Sequence, residues 1–475
     1  MWPAVNQHRL LAIGVGGASV LGGAIGMSAV AISPLVPIGA FLGLGGFATI
    51  FRAPLSGVLL FVITACLLPF AVIPVRIGVA LTVIDVALSL VLVVWVLRIM
   101  RGRKGLVTTP IDGWLGMLIG FALVSFVLGS GYAAIAGEQF RLFLKLLNSM
   151  LFFYGVTQVV ETKGNLLKVL RVLLVAGGLA ATIAIVLYAL PRELGVRALS
   201  ALRPLGYPIG EQVIRVIAGT STVRATGTSI DPNVLGGLLM LVGVLGSASL
   251  LAGKPLLRRP LLTAIMLAVV AGVVLSYSRS SWIGFAAGVG FIAGFKDRRA
   301  WWLIGIAIGA VLVLPQGQVL LDRFTSGVEV KDQAAAMRLG EYKDALTLIS
   351  QYPFLGVGFG EAPTIELYVA VSSIYLLIAE EMGLVGLTIF IASVGLALVH
   401  SFRGKGNEAS ELAVAVTGLQ GALIAALVAG LFDHYFFNIR FPHMVGLFWL
   451  LVGLLVVATR FSKAEAKQAG VEQRV

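Results

Sequence analysis

The feature that most constrains this chain is a succession of long apolar runs with hardly a charge inside them. A helix that crosses a bilayer needs about 20 mostly apolar residues, and it satisfies every backbone N–H and C=O internally. Fourteen stretches have that character: 11–31, 35–51, 55–75, 77–97, 112–130, 142–160, 169–190, 233–252, 260–276, 281–295, 301–315, 371–399, 411–431 and 442–459. The second, tenth and eleventh are short, so the expected count is 12–14 spans. Composition agrees: 59% of residues are hydrophobic and 12% are charged, where a soluble domain carries about 25% charged residues. A soluble enzyme, a disulfide scaffold and a disordered chain are thereby excluded. The single cysteine, Cys66, lies in an apolar run and has no partner for an internal disulfide. The fold expected is all-α, a polytopic transmembrane helix bundle forming a single integral membrane domain over 1–475. The start, MWPAVNQHRL, carries little positive charge and leads into a run long enough to span, so no removable signal peptide is expected.

Charge placement sets the expected orientation. The chain has 35 Lys+Arg against 22 Asp+Glu, and basic residues accumulate on the cytoplasmic side of membrane helices. The clusters at 98–104, 254–259, 296–299, 403–405 and 460–475 all fall on one side when fourteen spans are threaded, together with both termini. Orientation therefore accounts for them, and no nucleic-acid partner is implied. The opposite, extracytoplasmic side receives two long loops, 191–232 and 316–370, and short turns at 277–280 and 432–441. Arg192, Arg197, Arg203, Arg215, Arg224, Arg279, Arg323, Arg338 and Arg440 lie there against the rule. Arginine never loses its charge, and its planar fork grips phosphate in a bidentate way. Such a set points to an anionic ligand on that face.

Local patterns refine this. In RATGTSIDPNVLGG, Asp231 is placed to cap a helix whose first residue is Pro232, with Arg224 close by and Asn233 just inside. The cap leaves backbone N–H groups and a positive helix end facing outward. LSYSRSSWIG puts Arg279 in a short polar turn among Ser276, Ser278, Ser280 and Ser281, where a charge at membrane depth usually marks a site. KDQAAAMRLGEYKDALTLISQYP reads as an amphipathic helix in the 316–370 loop, with Met337, Leu346 and Ile349 toward membrane or bundle. Arg338, Glu341 and Tyr342 are neighbours on it through i,i+3 and i,i+4 spacing. In YPFLGVGFGEAP, Gly356, Gly358 and Gly360 permit a tight turn or close backbone approach. Glu361 and Glu366 follow, and either can accept a proton. Asp85 sits mid-span in LTVIDVALSL, where it is neutral, paired or part of a transport path. His434 and His443 flank a turn with Asp433 and Arg440, at a spacing that does not make a metal site. No metal or other cofactor is expected.

These segments, in this order over roughly 220–455, resemble the O-antigen ligase and polymerase superfamily of bacterial membrane glycosyltransferases. RATGTSIDPNVLGGLL is similar to the family's Arg–Gly–Thr … Pro–Asn entry to a span, and LSYSRSSWIG to its Ser–Arg turn. MRLGEYKDALTLISQYPFLGVGFG resembles its Arg … Pro-x-x-Gly-x-Gly element, and IYLLIAEEMGLVGL the helix that follows. The resemblance implies a bacterial inner-membrane enzyme, facing the periplasm or cell exterior. Its donor would be an undecaprenyl-diphosphate-linked glycan and its acceptor a glycan or lipid hydroxyl, with membrane lipids around it. It implies Arg224, Arg279 and Arg338 as diphosphate contacts, with Arg215, Asn233, Ser278, Tyr342, His434 and Arg440 lining the substrate site. One departure stands out. Ligases of the family carry a His–Asn pair where this chain has Ser372 and Ser373, which are expected to line the substrate site. Either another group is the base, with Glu361, Glu366 or His434 as candidates, or the enzyme is a polymerase or divergent transferase that positions the acceptor differently, or it has lost activity. The competing expectation is a transporter or flippase of lipid-linked or anionic substrates, with Asp85 serving coupling.

Overall fold

The computed structural model describes residues 45–73, 81–100, 102, 106–132, 136–217, 222–313, 333–360, 371–403 and 410–472. The chain is an all-α bundle of a polytopic membrane protein. Its helices are α1 (Leu55–Leu67), α2 (Val83–Met100), α3 (Asp112–Gly129), α4 (Gly137–Val159), α5 (Lys163–Ala189) and the short α6 (Arg192–Ser200). There follow α7 (Pro232–Leu251), α8 (Arg259–Leu275), α9 (Arg279–Phe295), α10 (Ala300–Val313), α11 (Gln333–Gln351), α12 (Ile374–Phe402), α13 (Glu411–Ala429) and α14 (Pro442–Glu472). Among the described residues eight helices are long and apolar enough to cross a membrane: α2 to α5, α7 and α12 to α14. α1 and α8 are shorter apolar helices. The expected spans 11–31 and most of 35–51 lie outside the described residues. One two-stranded antiparallel ribbon, β1 (Arg215–Val216) with β2 (Val223–Arg224), interrupts the helical pattern.

α7 and α14 are buried over most of their length, so they form the centre. α7 packs against α5, α8, α9 and α13, and α14 against α4, α12 and α13. Lipid is as apolar as leucine, so close backbone approach rather than burial of apolar surface drives this packing. The glycines of α7 serve it. A Cβ at Gly236 would come within 2.8 Å of the Ser276 and Ser281 hydroxyls, so only glycine admits the turn between α8 and α9 here.

The two ends of the bundle differ. One carries the links Arg98–Glu161, Lys163–Glu465 and Arg171–Glu411 between helix termini. The other gathers the 70–73 and 203–207 turns, the ribbon, the α8–α9 turn and the 430–441 segment. It also receives α11, the helix expected in the 316–370 loop, which packs on α12. Among the described side chains of α11, Ala345 and Leu348 are buried, while Met337 and Leu346 are exposed and Ile349 is half-buried.

α12 is broken near its start. Gly383 adopts φ 66° and ψ −179°, a conformation open to glycine alone, and the 353–358 segment fits into the gap. Leu384 N–H donates to the Pro353 carbonyl at 2.7 Å, Val357 N–H to the Glu380 backbone carbonyl at 2.8 Å and Gly358 N–H to the Glu381 backbone carbonyl at 3.0 Å. The expected tight turn is therefore present at Gly356 (φ 69°) and Gly358 (φ 80°). At Gly360 a side chain would meet nothing within 4 Å. Gly383→Ala is expected to cost about 1–3 kcal/mol in backbone strain alone, before its Cβ meets the Phe354 carbonyl carbon at 2.3 Å. Gly360→Ala is expected to stay within about 0.5 kcal/mol of wild type. Thermal unfolding of the two variants in detergent checks the contrast, and equal melting would refute it.

Asp85 is not mid-span. It lies in the first turn of α2 and pairs with Lys145 Nζ of α4 at 2.7 Å. It is paired in the structure, one of the three readings left open by the sequence.

Candidate functional site

The site forms where helix starts and turns meet at the second end of the bundle. Asp231 caps α7 as expected, its Oδ1 accepting the N–H groups of Asn233 at 2.8 Å and Val234 at 3.1 Å, with Pro232 as first helical residue. β2 delivers Arg224 to this cap. Its Nη2 donates to Asn233 Oδ1 at 2.7 Å and its Nε to the Ser276 carbonyl at 2.9 Å. Ala225 N–H donates to the Leu275 carbonyl at 2.9 Å, so the ribbon is fastened to the α8–α9 turn by backbone as well.

That turn is a chain of hydroxyls. Ser281 Oγ donates to Ser278 Oγ at 3.0 Å, Ser278 and Ser280 hydroxyls meet at 3.1 Å, and Ser280 Oγ donates to Asp433 Oδ2 at 3.2 Å. Ser276, Ser278, Ser280 and Ser281 are all buried. Arg279 is the first residue of α9 and half-buried, at the edge of this polar cluster. The two non-glycine residues with positive φ among the described residues, Ile230 (60°) and Tyr277 (51°), both belong to these segments. Strained backbone of this kind persists only where its surroundings fix it, and it clusters at functional sites.

Asp433 joins the serine turn to α11. Its Oδ2 stands 4.0 Å from Arg338 Nη2, and its Oδ1 accepts the His434 N–H at 2.9 Å. Burial pushes the Asp433 carboxyl above the usual carboxylate range, and Asp231 adds to this, while His434 and Arg338 hold it back. One turn along α11, Tyr342 Oη faces the carbonyls of Ser372 at 3.1 Å and Leu431 at 3.2 Å. Burial raises the Tyr342 phenol, with Arg338 opposing. Ser372 N–H donates to Glu341 Oε2 at 3.0 Å. Ser373 is the residue before α12, and its hydroxyl makes no capping bond there. His434 Nδ1 meets Asn438 Nδ2 at 3.1 Å, and Asn438 Oδ1 accepts the Arg440 N–H at 2.8 Å.

Of the residues expected from sequence, the structure links Arg224, Asn233 and Ser278 through the α8–α9 turn. Through Asp433 and α11 it links Arg338, Tyr342, Ser372 and His434. Arg279 borders the same turn. Arg215 shares the site by backbone pairing with Arg224, its side chain exposed. The side chain of Arg440 is likewise exposed. Glu361 and Glu366 lie outside the described residues. Sequence reading missed Asp433 as the hub, because a loop aspartate beside a histidine reads as solvated, and only its burial against Ser280 and Arg338 reveals otherwise. It also left Glu341 without a role, although its spacing from Arg338 was plain. Among the described residues no group of three or more His, Cys, Asp or Glu side chains is arranged to hold a metal ion.

What the arrangement offers chemically is positive charge against hydroxyls and helix N-termini. Arg224 is fixed by hydrogen bonds, Arg338 stands 4.0 Å from Asp433, and the N-termini of α7 and α9 add their dipoles. This is a setting in which an anionic group is held and developing negative charge is stabilised.

No curated protein matches the chain. Residues 261–391 match the family model described as O-antigen ligase. The match runs from the start of α8 into α12, and so contains Arg279, Arg338, Glu341, Tyr342, Ser372 and Ser373. Arg224, Asn233 and Asp433 lie outside it: Arg224 is bonded to Ser276 and Asp433 to Ser280, both within it, and Asn233 is joined to it through Arg224. Over residues 261–391, then, the chain is similar to the O-antigen ligase family.

Proposed function

We propose that the protein transfers a glycan from a polyprenyl diphosphate carrier to an acceptor hydroxyl at the outer face of a bacterial cytoplasmic membrane. The acceptor is either the end of a second lipid-linked glycan or a cell-envelope lipid. The observation that carries this reading is Arg224, held by Ser276 and Asn233, and Arg338, 4.0 Å from Asp433, joined through the buried serine turn beside Arg279. The hydroxyl oxygen of the acceptor attacks the anomeric carbon, and the bond from that carbon to the diphosphate breaks. Negative charge grows on the leaving diphosphate, and the arginines stand ready for it without reorganising. These cations supply the countercharge, so the reaction proceeds with no added metal. Apolar helix faces near the membrane take the polyprenyl tail, and α11 covers the glycan.

The test is transfer by purified protein in nanodiscs containing EDTA, with native undecaprenyl-diphosphate oligosaccharide as donor. A ladder of products identifies a polymerase, and one discrete adduct on an acceptor lipid identifies a ligase. Absence of transfer, with movement of the same lipid across the bilayer, would replace the transferase by a flippase.

A further inference from the structure

Moving a glycan onto a hydroxyl releases one proton, and a base must stand where that hydroxyl binds. Neither Ser372 nor Ser373 can take a proton at neutral pH without a partner. Among the described carboxylates and histidines, Asp231, Asp433, His434 and Glu341 belong to the network around Arg224, Arg338 and Ser372.

Three of them are committed elsewhere. Asp231 caps α7 through Oδ1, and among the described residues no hydrogen bond joins it to the Ser372–Ser373 segment as one joins Glu341. Asp433 is 5% exposed, and both its oxygens are engaged, by Ser280, Arg338 and its neighbour's N–H. His434 Nδ1 lies against the Asn438 amide N–H₂, which can only donate to it. The neutral ring then carries its proton on Nε2 and has no lone pair to spare.

Glu341 is different. It is half-buried on α11, and one oxygen accepts the Ser372 N–H at 3.0 Å. That bond fixes the carboxylate beside the start of α12 and leaves the second oxygen without a hydrogen-bond partner among the described residues. Arg338 and Tyr342 flank it on its own helix, and Asp433 and His434 stand on the turn packed against them. Asp344, a turn further along, faces Glu380 of α12 instead.

We infer that Glu341 is the general base of this site, resting on the transferase reading above. The proton of the acceptor hydroxyl passes to a Glu341 carboxylate oxygen as the hydroxyl oxygen bonds to the anomeric carbon. The bond from that carbon to the diphosphate breaks, and its electron pair leaves with the diphosphate.

Glu341→Gln separates the chemical role from a structural one. The glutamine oxygen still accepts the Ser372 N–H in nearly the same shape, but it cannot take a proton. The expected result is a fall in kcat of about 10²–10⁴-fold, with the KM for donor and the melting temperature near wild type. The acid limb of the pH–rate profile disappears with it, and Glu341→Asp recovers part of the rate. Wild-type kcat in Glu341→Gln, or a lower kcat with the acid limb intact, would overturn the inference while leaving the transferase reading standing. Absence of transfer by the wild type would overturn both.

Discussion

Arg224→Ala is expected to lower the rate of glycan transfer by about 10²–10³-fold, the cost typical of removing one preorganised donor from a site of developing charge. The guanidinium is pinned before any substrate arrives, by Ser276 on one side and Asn233 on the other. A group so held stabilises charge on a leaving diphosphate without paying to reorient. Arg224→Lys retains the charge, yet a single ammonium cannot reproduce the planar fork that spans Ser276 and Asn233. It is therefore expected to fall between alanine and wild type. Asn233→Ala leaves the charge in place but frees the fork, and a smaller loss follows. Initial rates at saturating donor measure all three, with melting in detergent as the control for folding. Full activity in Arg224→Ala would remove this residue from the mechanism and leave Arg279 and Arg338 to carry it.

Much of this protein is legible in its sequence because membrane helices are written locally. Apolar composition over about 20 residues needs no tertiary partner to be read, and α2 to α5, α7 and α12 to α14 all overlap runs recognisable in that way. The helix cap at Asp231 and the turns at Gly356 and Gly358 are equally local, since each rests on what one residue type can do with its own backbone. What escapes is whatever depends on a distant neighbour. Asp433 is 153 residues from Ser280, and Glu341 is 31 from Ser372. Nothing in either local sequence says which groups they face. The break in α12 belongs to the same class. Gly383 reads as one more small residue in a membrane helix until the 353–358 segment is seen lying against it. Asp85 shows the point most sharply, because its partner sits on another helix.

Lys145→Ala is expected to destabilise the fold by about 3–5 kcal/mol, the usual cost of leaving one member of a buried ion pair alone. The lysine and Asp85 side chains are 14% and 9% exposed, and their charged atoms are 2.7 Å apart. Without the ammonium, the Asp85 carboxylate keeps only the Thr82 N–H at 2.9 Å, and its Oδ1 has no other partner among the described residues. Asp85→Asn alone is expected to be costly too, because it strands a buried lysine. The double variant Asp85→Asn, Lys145→Met removes both charges and is expected to recover most of the loss. The coupling energy from that cycle isolates the pair from the helix contacts around it. Melting in detergent reads the stability, and transfer per folded molecule reads the function. A structural pair predicts that the double variant transfers at nearly the wild-type rate. An Asp85 that moves protons or ions in a transport cycle predicts the opposite, a stable double variant that is inactive. The two outcomes separate a bundle held together by this pair from a carrier driven through it.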